Sequence, residues 1–293
     1  MLTPIYKLNN GAYLKLENMN FGGSHKVRSA KRMIEDAIIS GSLIKGSGQI
    51  IIEKTGGNLG VGLAIFANKY GFELELAVGL SYSYAKRKML EIYGAKLIGI
   101  EMLERGARPK DVIEHYLVNA KKMGKNYFYV DQFNNHSNFL AHYEETSKEI
   151  IAYAKSLMLV KDKKIIYVGG VGSGASTSGI GLALKEQFDD VEIIVVQPKG
   201  CDIEKEVFVE HNLQGIAVGV KPAIYLSNIV DRYIVCSEED AYRCQKWLAR
   251  EHGIFCGNSS GANIYAIKQV QKQYHQEEVI VFSLIYDSGD CYV

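Results

Sequence analysis

Short runs rich in Ile, Val and Tyr alternate with amphipathic stretches along almost the whole chain, and this alternation constrains its fold more than any other feature. The runs fall at 49–53, 72–78, 96–100, 127–130, 164–168, 191–196, 233–236 and 279–285. They are continuously apolar rather than alternating, as expected of strands covered on both faces. Between them, helical spacing predicts helices at 26–39, 60–70, 84–93, 110–123, 140–156, 238–251 and 262–274. Ser24 is placed to cap the first of these, and Gly41 and Gly71 to stop the first two. Strand–helix alternation predicts an α/β fold with mainly parallel twisted sheets flanked by helices. The chain has only 4 prolines and no low-complexity linker, so any two lobes must be joined tightly, with a boundary expected near residue 145.

Charge narrows the function. With 34 basic against 33 acidic side chains, the net charge of +1 gives no electrostatic reason to expect nucleic acid or a membrane surface as partner. No apolar run approaches the roughly 20 residues that span a bilayer, and the start, Met1 to Tyr6, lacks the pattern of a secretory leader. The 5 cysteines show no C-x-x-C spacing, so reduced thiols in a cytoplasmic compartment are expected, with no metal site.

Three glycine-rich turns each lead from a strand into a helix. In Val168-Gly169-Gly170-Val171-Gly172-Ser173-Gly174-Ala175-Ser176-Thr177-Ser178-Gly179, exposed backbone N–H groups, hydroxyls and a helix dipole suit a phosphate. A dinucleotide site fits poorly, since no G-x-G-x-x-G lies in register and the next strand ends at Gln197-Pro198 rather than at an acidic residue. A ligand-free tight turn fits this segment equally well. The second turn, Thr55-Gly56-Gly57-Asn58-Leu59-Gly60, could cradle a carboxylate, and the third is Gly257-Asn258-Ser259-Ser260-Gly261-Ala262. Lys26 follows Gly22-Gly23-Ser24 at a helix start, where the dipole and partial burial lower an amine's pKa. A neutral amine is what Schiff-base chemistry needs, although the local pattern alone also describes a solvated surface lysine.

Taken in order, these segments resemble the cysteine synthase and cystathionine β-synthase family of fold-type II pyridoxal-phosphate enzymes. The resemblance is carried by Lys15 to Asn20 with Ser24-His25-Lys26-Val27-Arg28, by Thr55 to Gly60, by Asp131-Gln132-Phe133-Asn134-Asn135 and by Gly172 to Ser176. Gln214 to Gly219, Gly257 to Ala262 and Asp287-Ser288-Gly289-Asp290 complete a collinear set over nearly the whole chain. It implies a two-lobed, tryptophan synthase β-like fold, with an N-terminal lobe at 1–145 and a cofactor-phosphate lobe at 146–293. The first ~40 residues are allowed to pack with the second lobe.

The resemblance also implies roles. Lys26 carries pyridoxal 5′-phosphate as a Schiff base and then works as acid and base at Cα. Asn58 holds the ring 3′-oxygen, Gly172, Ser173, Gly174, Ala175 and Ser176 wrap the phosphate, and Ser259 faces the pyridine nitrogen. Thr55, Gly56, Asn58 and Gln132 hold the substrate carboxylate. The implied reaction is β-elimination or β-replacement on L-cysteine or an O-activated L-serine through an α-aminoacrylate, with sulfide as nucleophile or product, in a homodimer. A serine/threonine dehydratase, a diaminopropionate-type synthase and a non-catalytic binding homologue are the alternatives within the fold.

Against the family pattern, Gly56 replaces a serine, Ala217 and Val218 add bulk to a loop usually reading G-I-G-A-G, and Val27 stands where aspartate is usual. A narrowed pocket of that kind suits a thiol leaving group better than a bulky one. The sequence stops just after Asp287 to Asp290, so no C-terminal regulatory domain is expected. Asp231 and Asp287 are candidate carboxylates for activating water, and His25 is read as a packing or phosphate-side neighbour.

Overall fold

A computed structural model describes residues 1–157 and 163–292. The chain divides into two compact units, Lys26–Asn138 and a second one made of Met1–His25 with Phe139–Val293.

The contiguous unit holds strands β3 (Gln49–Glu53), β4 (Glu73–Leu76), β5 (Lys96–Leu97) and β6 (Asn126–Tyr129) in the order β5-β4-β3-β6, every neighbouring pair parallel. Its helices are α1 (Lys26–Ile39), α2 (Asn58–Tyr70), α3 (Tyr84–Ile92), α4 (Ile100–Glu104) and α5 (Pro109–Val118). On β3, Ile51 joins one apolar cluster, with Val27, Met33 and Leu63, while its neighbour Ile52 joins another, with Ile98, Leu103 and Val112. Successive side chains of a strand point to opposite faces, so a strand covered on both sides has no polar register to show. Burial of each such side chain is worth about 1.5–3 kcal/mol.

Helices α1 and α2 cross closely because residue 62 is glycine. A Cβ there would lie 2.9 Å from the Ala30 Cβ and 3.0 Å from the Lys26 carbonyl oxygen. Val27, in place of the usual aspartate, is fully buried in this core. The strand expected at 96–100 is cut to two residues because Gly99 takes φ 68° and caps α4. The helix expected at 110–123 ends at Val118, where the Asn119 side chain donates to the His115 carbonyl at 2.8 Å.

The other unit holds β1 (Ile5–Lys7), β2 (Tyr13–Leu16), β7 (Lys164–Gly170), β8 (Val191–Pro198), β9 (Arg232–Cys236) and β10 (Val279–Ile285). Their order is β1-β2-β10-β7-β8-β9, with β1 antiparallel to β2 and the rest parallel. Here α6 (His136–Ala141), which starts in the first unit, leads into a π-helical turn at His142–Thr146 and then α7 (Ser147–Ser156). Helices α8 (Ala175–Gln187), α9 (Glu238–His252) and α10 (Asn258–Val270) complete it. The π turn interrupts the helix expected at 140–156. It faces Gly179 of α8, where a Cβ would meet the Tyr143 nitrogen at 2.7 Å and the Phe139 oxygen at 2.9 Å.

The lobe boundary read from the sequence, near residue 145, differs from these units. Residues Met1–His25 belong with the C-terminal segment because β2 pairs with β10, the last strand of the chain. Strands β1 and β2 escaped the sequence reading because their apolar pattern is broken by Lys7 and Lys15. Lys15 is fully buried, and its ammonium lies 2.5 Å from Glu149 and from the Thr3 carbonyl oxygen. No helix among the described residues is long and apolar enough to cross a membrane.

Candidate active site

In a parallel sheet, ligands gather where the strands end at their carboxyl edge. Strands β3, β4 and β6 lie side by side and release three loops there: 54–57, 77–83 and 130–135. Thr55 and Gly56 come from the first loop, Asn58 from the start of α2 directly after it and Gln132 from the third loop, so folding brings these expected substrate residues to one edge. Gly57 is the N-cap of α2 and makes no side-chain cap, so the positive end of the helix dipole lies at this loop.

Glu53, which the motif reading passed over, fastens the two loops together. Its carboxylate accepts from the Lys54 N–H at 2.9 Å and from the Gln132 N–H at 3.2 Å. Asn138 fixes the other side of Gln132 by donating to its carbonyl at 2.8 Å. Asp131 takes φ 50°, a left-handed conformation that costs a non-glycine residue roughly 1–2 kcal/mol, and Asn134 donates to both of its carboxylate oxygens. The Gln132 backbone is thus held on both sides while its carboxamide makes no hydrogen bond among the described residues.

Lys26 opens α1. Withdrawal from water lowers its ammonium to about pKa 8, with the charge of Glu53 opposing the shift. This matches the chemistry expected of it, because more of the amine is neutral near physiological pH. Burial likewise pushes Glu53 up to about 7, against the hydrogen bonds from Lys54 and Gln132. A carboxyl group with a raised folded pKa holds its proton to higher pH in the folded state. Its stabilising contribution is therefore present below the ordinary value and lost as pH rises through about 7. For Glu53→Gln the unfolding free energy, relative to the parent protein, is expected to improve by about 3 kcal/mol between pH 4.5 and 8. Urea denaturation at the two pH values checks this, and parallel pH profiles would count against a buried, proton-holding Glu53.

The other unit carries the expected phosphate turn. Strand β7 ends at Gly170, whose N–H donates to the Tyr286 hydroxyl at 2.8 Å, and α8 begins at Ala175. A Cβ on Gly172 would overlap the Gly215 carbonyl oxygen. Gly174 takes φ 82°, and a Cβ there would stand 2.7 Å from the Tyr225 Cβ. The turn is therefore restricted to glycine by its own fold. Among its hydroxyls, Thr177 donates to the Gly170 carbonyl at 2.6 Å and Ser178 accepts from the Leu226 N–H at 2.9 Å. The Ser176 hydroxyl makes no hydrogen bond among the described residues, and α8 has no side-chain cap. Free first-turn donors, a hydroxyl and a glycine cradle are the donor set a phosphate monoester needs.

The third turn divides its serines in the same way. The Ser260 hydroxyl accepts from the Tyr286 N–H at 2.9 Å, whereas the hydroxyl of Ser259, also buried, makes no hydrogen bond among the described residues. That leaves Ser259 as the hydroxyl able to meet a ring nitrogen, and pyridoxal phosphate fits both turns. Tyr286 links them by contacting Gly170 with its hydroxyl and Ser260 with its backbone. Its position, after an apolar strand and before Asp287, was the only available sequence signal.

Most of the other candidates have contacts within their own unit. Asp231 pairs with Lys185 at 2.8 Å and accepts from the Ile193 N–H at 2.7 Å, which commits it to the edge of the sheet. Asp287 accepts from the Tyr292 hydroxyl at 2.5 Å. His25 donates its N–H to the Tyr286 carbonyl at 2.9 Å and packs its ring on Tyr286, in keeping with a packing neighbour. Ala217 is buried at φ 48° with its N–H on the Val171 carbonyl at 2.8 Å, whereas Val218 is exposed.

Known proteins resemble this chain along most of its length. The family described as pyridoxal-phosphate dependent enzyme matches residues 2–285. The cysteine synthase of Aquifex aeolicus is 33% identical over 286 residues, covering 96% of this chain and 82% of the relative. The cystathionine beta-synthase of the honeybee, Apis mellifera, is 34% identical across 96% of this chain, which spans 57% of that longer protein. The crystal structure of a hydrogen sulfide-producing enzyme from Fusobacterium nucleatum superposes with a TM-score of 0.87 at 30% identity, covering 99% of this chain and 95% of the other. Matches of this extent, over turns whose free donors suit the cofactor, make this chain a pyridoxal-phosphate dependent enzyme of the cysteine synthase and cystathionine β-synthase family.

Proposed function

We propose that this enzyme catalyses β-elimination or β-replacement on L-cysteine or an O-activated L-serine, with sulfide as product or nucleophile. Bound pyridoxal phosphate supplies the electron sink that acidifies Cα–H and lets a group on Cβ depart. Lys26 is the amine that would hold the cofactor and move the Cα proton; its lowered pKa supports both tasks. Gly172, Ser173, Gly174, Ala175 and Ser176 hold the phosphate, and Asn58 the ring 3′-oxygen. Thr55, Gly56, Asn58 and Gln132 orient the substrate carboxylate.

The observation that carries the choice of reaction is the uncommitted hydroxyl of Ser259. A neutral partner at the ring nitrogen does not enforce a pyridinium, and so favours prompt loss of a β-substituent over a long-lived carbanion. Buried Ala217, where the family has glycine, supports a small leaving group such as a thiol. Unpaired buried thiols at Cys201, Cys236, Cys244 and Cys256 support a reducing, cytoplasmic setting. Phe21 and Met19, large apolar side chains left 72% and 62% exposed, support a homodimer.

The test supplies the holoenzyme with L-cysteine alone, then with O-acetylserine and sulfide. Sulfide release in the first case or cysteine formation in the second is expected. Neither product, or ammonia from L-serine alone, would overturn the reading.

A further inference from the structure

The family's serine is missing at Gly56, and a neighbouring side chain fills the space. A Cβ at residue 56 would lie 2.7 Å from Cδ2 and 2.9 Å from Cε2 of Tyr82, and 2.6 Å from Cγ1 of Val78. The tyrosine hydroxyl reaches over the same turn, 3.8 Å from where a Gly57 Cβ would stand. Tyr82 belongs to the loop that follows β4. Its N–H donates to the Gly79 carbonyl at 3.2 Å, and Ser83 caps α3 directly afterwards. Because β4 runs parallel to β3, both loops leave the same edge of the sheet. The ring packs against the apolar core of its unit, yet the hydroxyl makes no hydrogen bond among the described residues. The residue is half-buried, so its hydroxyl stands at the edge of the apolar core, open to an acceptor on a bound ligand.

We infer that the Tyr82 hydroxyl donates a hydrogen bond to the substrate carboxylate, replacing the donor lost at Gly56. The inference rests on the proposed assignment of Thr55 to Asn58 as the carboxylate loop. Burial raises the Tyr82 pKa, so the group stays a donor throughout the working range. The swap also changes shape: a serine side chain is short and flexible, whereas the phenol is a rigid wall beside the substrate. Glycine at 56 and tyrosine at 82 are therefore one device, and neither can change alone.

The experiment titrates holoenzyme with L-serine and with L-serinamide, following the cofactor's absorbance. Tyr82→Phe keeps the ring and removes only the hydroxyl. It is expected to weaken L-serine binding by about 10- to 100-fold, the worth of a hydrogen bond to a charged group. L-Serinamide binding is expected to change little, and the thermal unfolding midpoint not at all. Gly56→Ser alone is expected to bind L-serine poorly because the new side chain meets the Tyr82 ring. Because Val78 crowds the same Cβ, Gly56→Ser combined with Tyr82→Ala and Val78→Ala is expected to bind better than Tyr82→Ala with Val78→Ala. Equal L-serine affinity in Tyr82→Phe and the parent, equal losses for serine and serinamide, or no L-serine response in the parent would each overturn the inference. A parent that binds L-serine through Tyr82 yet yields neither sulfide nor cysteine would leave it standing and remove the proposed reaction instead.

Discussion

Replacing Lys26 with alanine is expected to lower turnover by about 1,000-fold or more while leaving the fold intact. The side chain opens α1 and is not among the buried apolar residues of its unit, so its loss opens no large cavity. Chemistry sets the size of the effect. A positioned acid–base group contributes about 10²- to 10⁴-fold, and removing the amine that holds the cofactor adds to that. Borohydride treatment of the parent protein followed by peptide mapping is expected to mark Lys26, and the variant to take no mark. An unmarked Lys26 in the parent, or a variant with more than a tenth of parental turnover, would remove the lysine from its proposed role.

The second large effect is expected at Gly172. A methyl group there runs into the Gly215 carbonyl oxygen, so the turn must shift to accept it. Because the first-turn N–H groups of α8 act through direction as well as distance, a displaced turn loses several hydrogen bonds to phosphate at once. Gly172→Ala is expected to weaken cofactor affinity by roughly 100-fold, the loss of two or so charge-assisted hydrogen bonds. Gly124→Ala is the control. Unlike the change at Gly172, it replaces a glycine at positive φ, 65°, and nothing stands within 4 Å of the new methyl group. It costs about 1 kcal/mol of backbone strain and is expected to leave cofactor affinity unchanged. Equal affinities in both variants, measured by fluorescence titration of the apoprotein, would show that the Gly172 turn does not hold the phosphate.

Much of this architecture was legible from local chemistry. Strands such as β3 and β7 announce themselves through uninterrupted β-branched residues, and Gly71 ends α2 in the left-handed conformation expected of it. The failures follow from contacts distant in sequence. Lys15 disguises β2 because its ammonium is neutralised by Glu149, more than a hundred positions away. The start of α10 at Asn258 was read late because Gly257, its N-cap, sits among serines that resemble a loop. At the candidate site, sequence singled out the turns but not the residues that shape them. Glu53, Tyr82, Tyr225 and Tyr286 carry no motif. Each matters because another loop reaches it: Gln132 for Glu53, Gly56 for Tyr82, Gly174 for Tyr225 and Gly170 for Tyr286.

The pairing of β2 with β10 has a consequence for synthesis. The segment Lys26–Asn138 is contiguous, with its sheet closed entirely by strands inside that range. It is able to form as soon as it leaves the ribosome, since domains fold as units during translation. The opening 25 residues meet the opposite situation. Their hairpin has no sheet to join until β10, within the last fifteen residues of the chain, has been made. The first part of this protein to be translated is thus among the last to become native, and a nascent chain must keep that strand edge unpaired until elongation is almost complete.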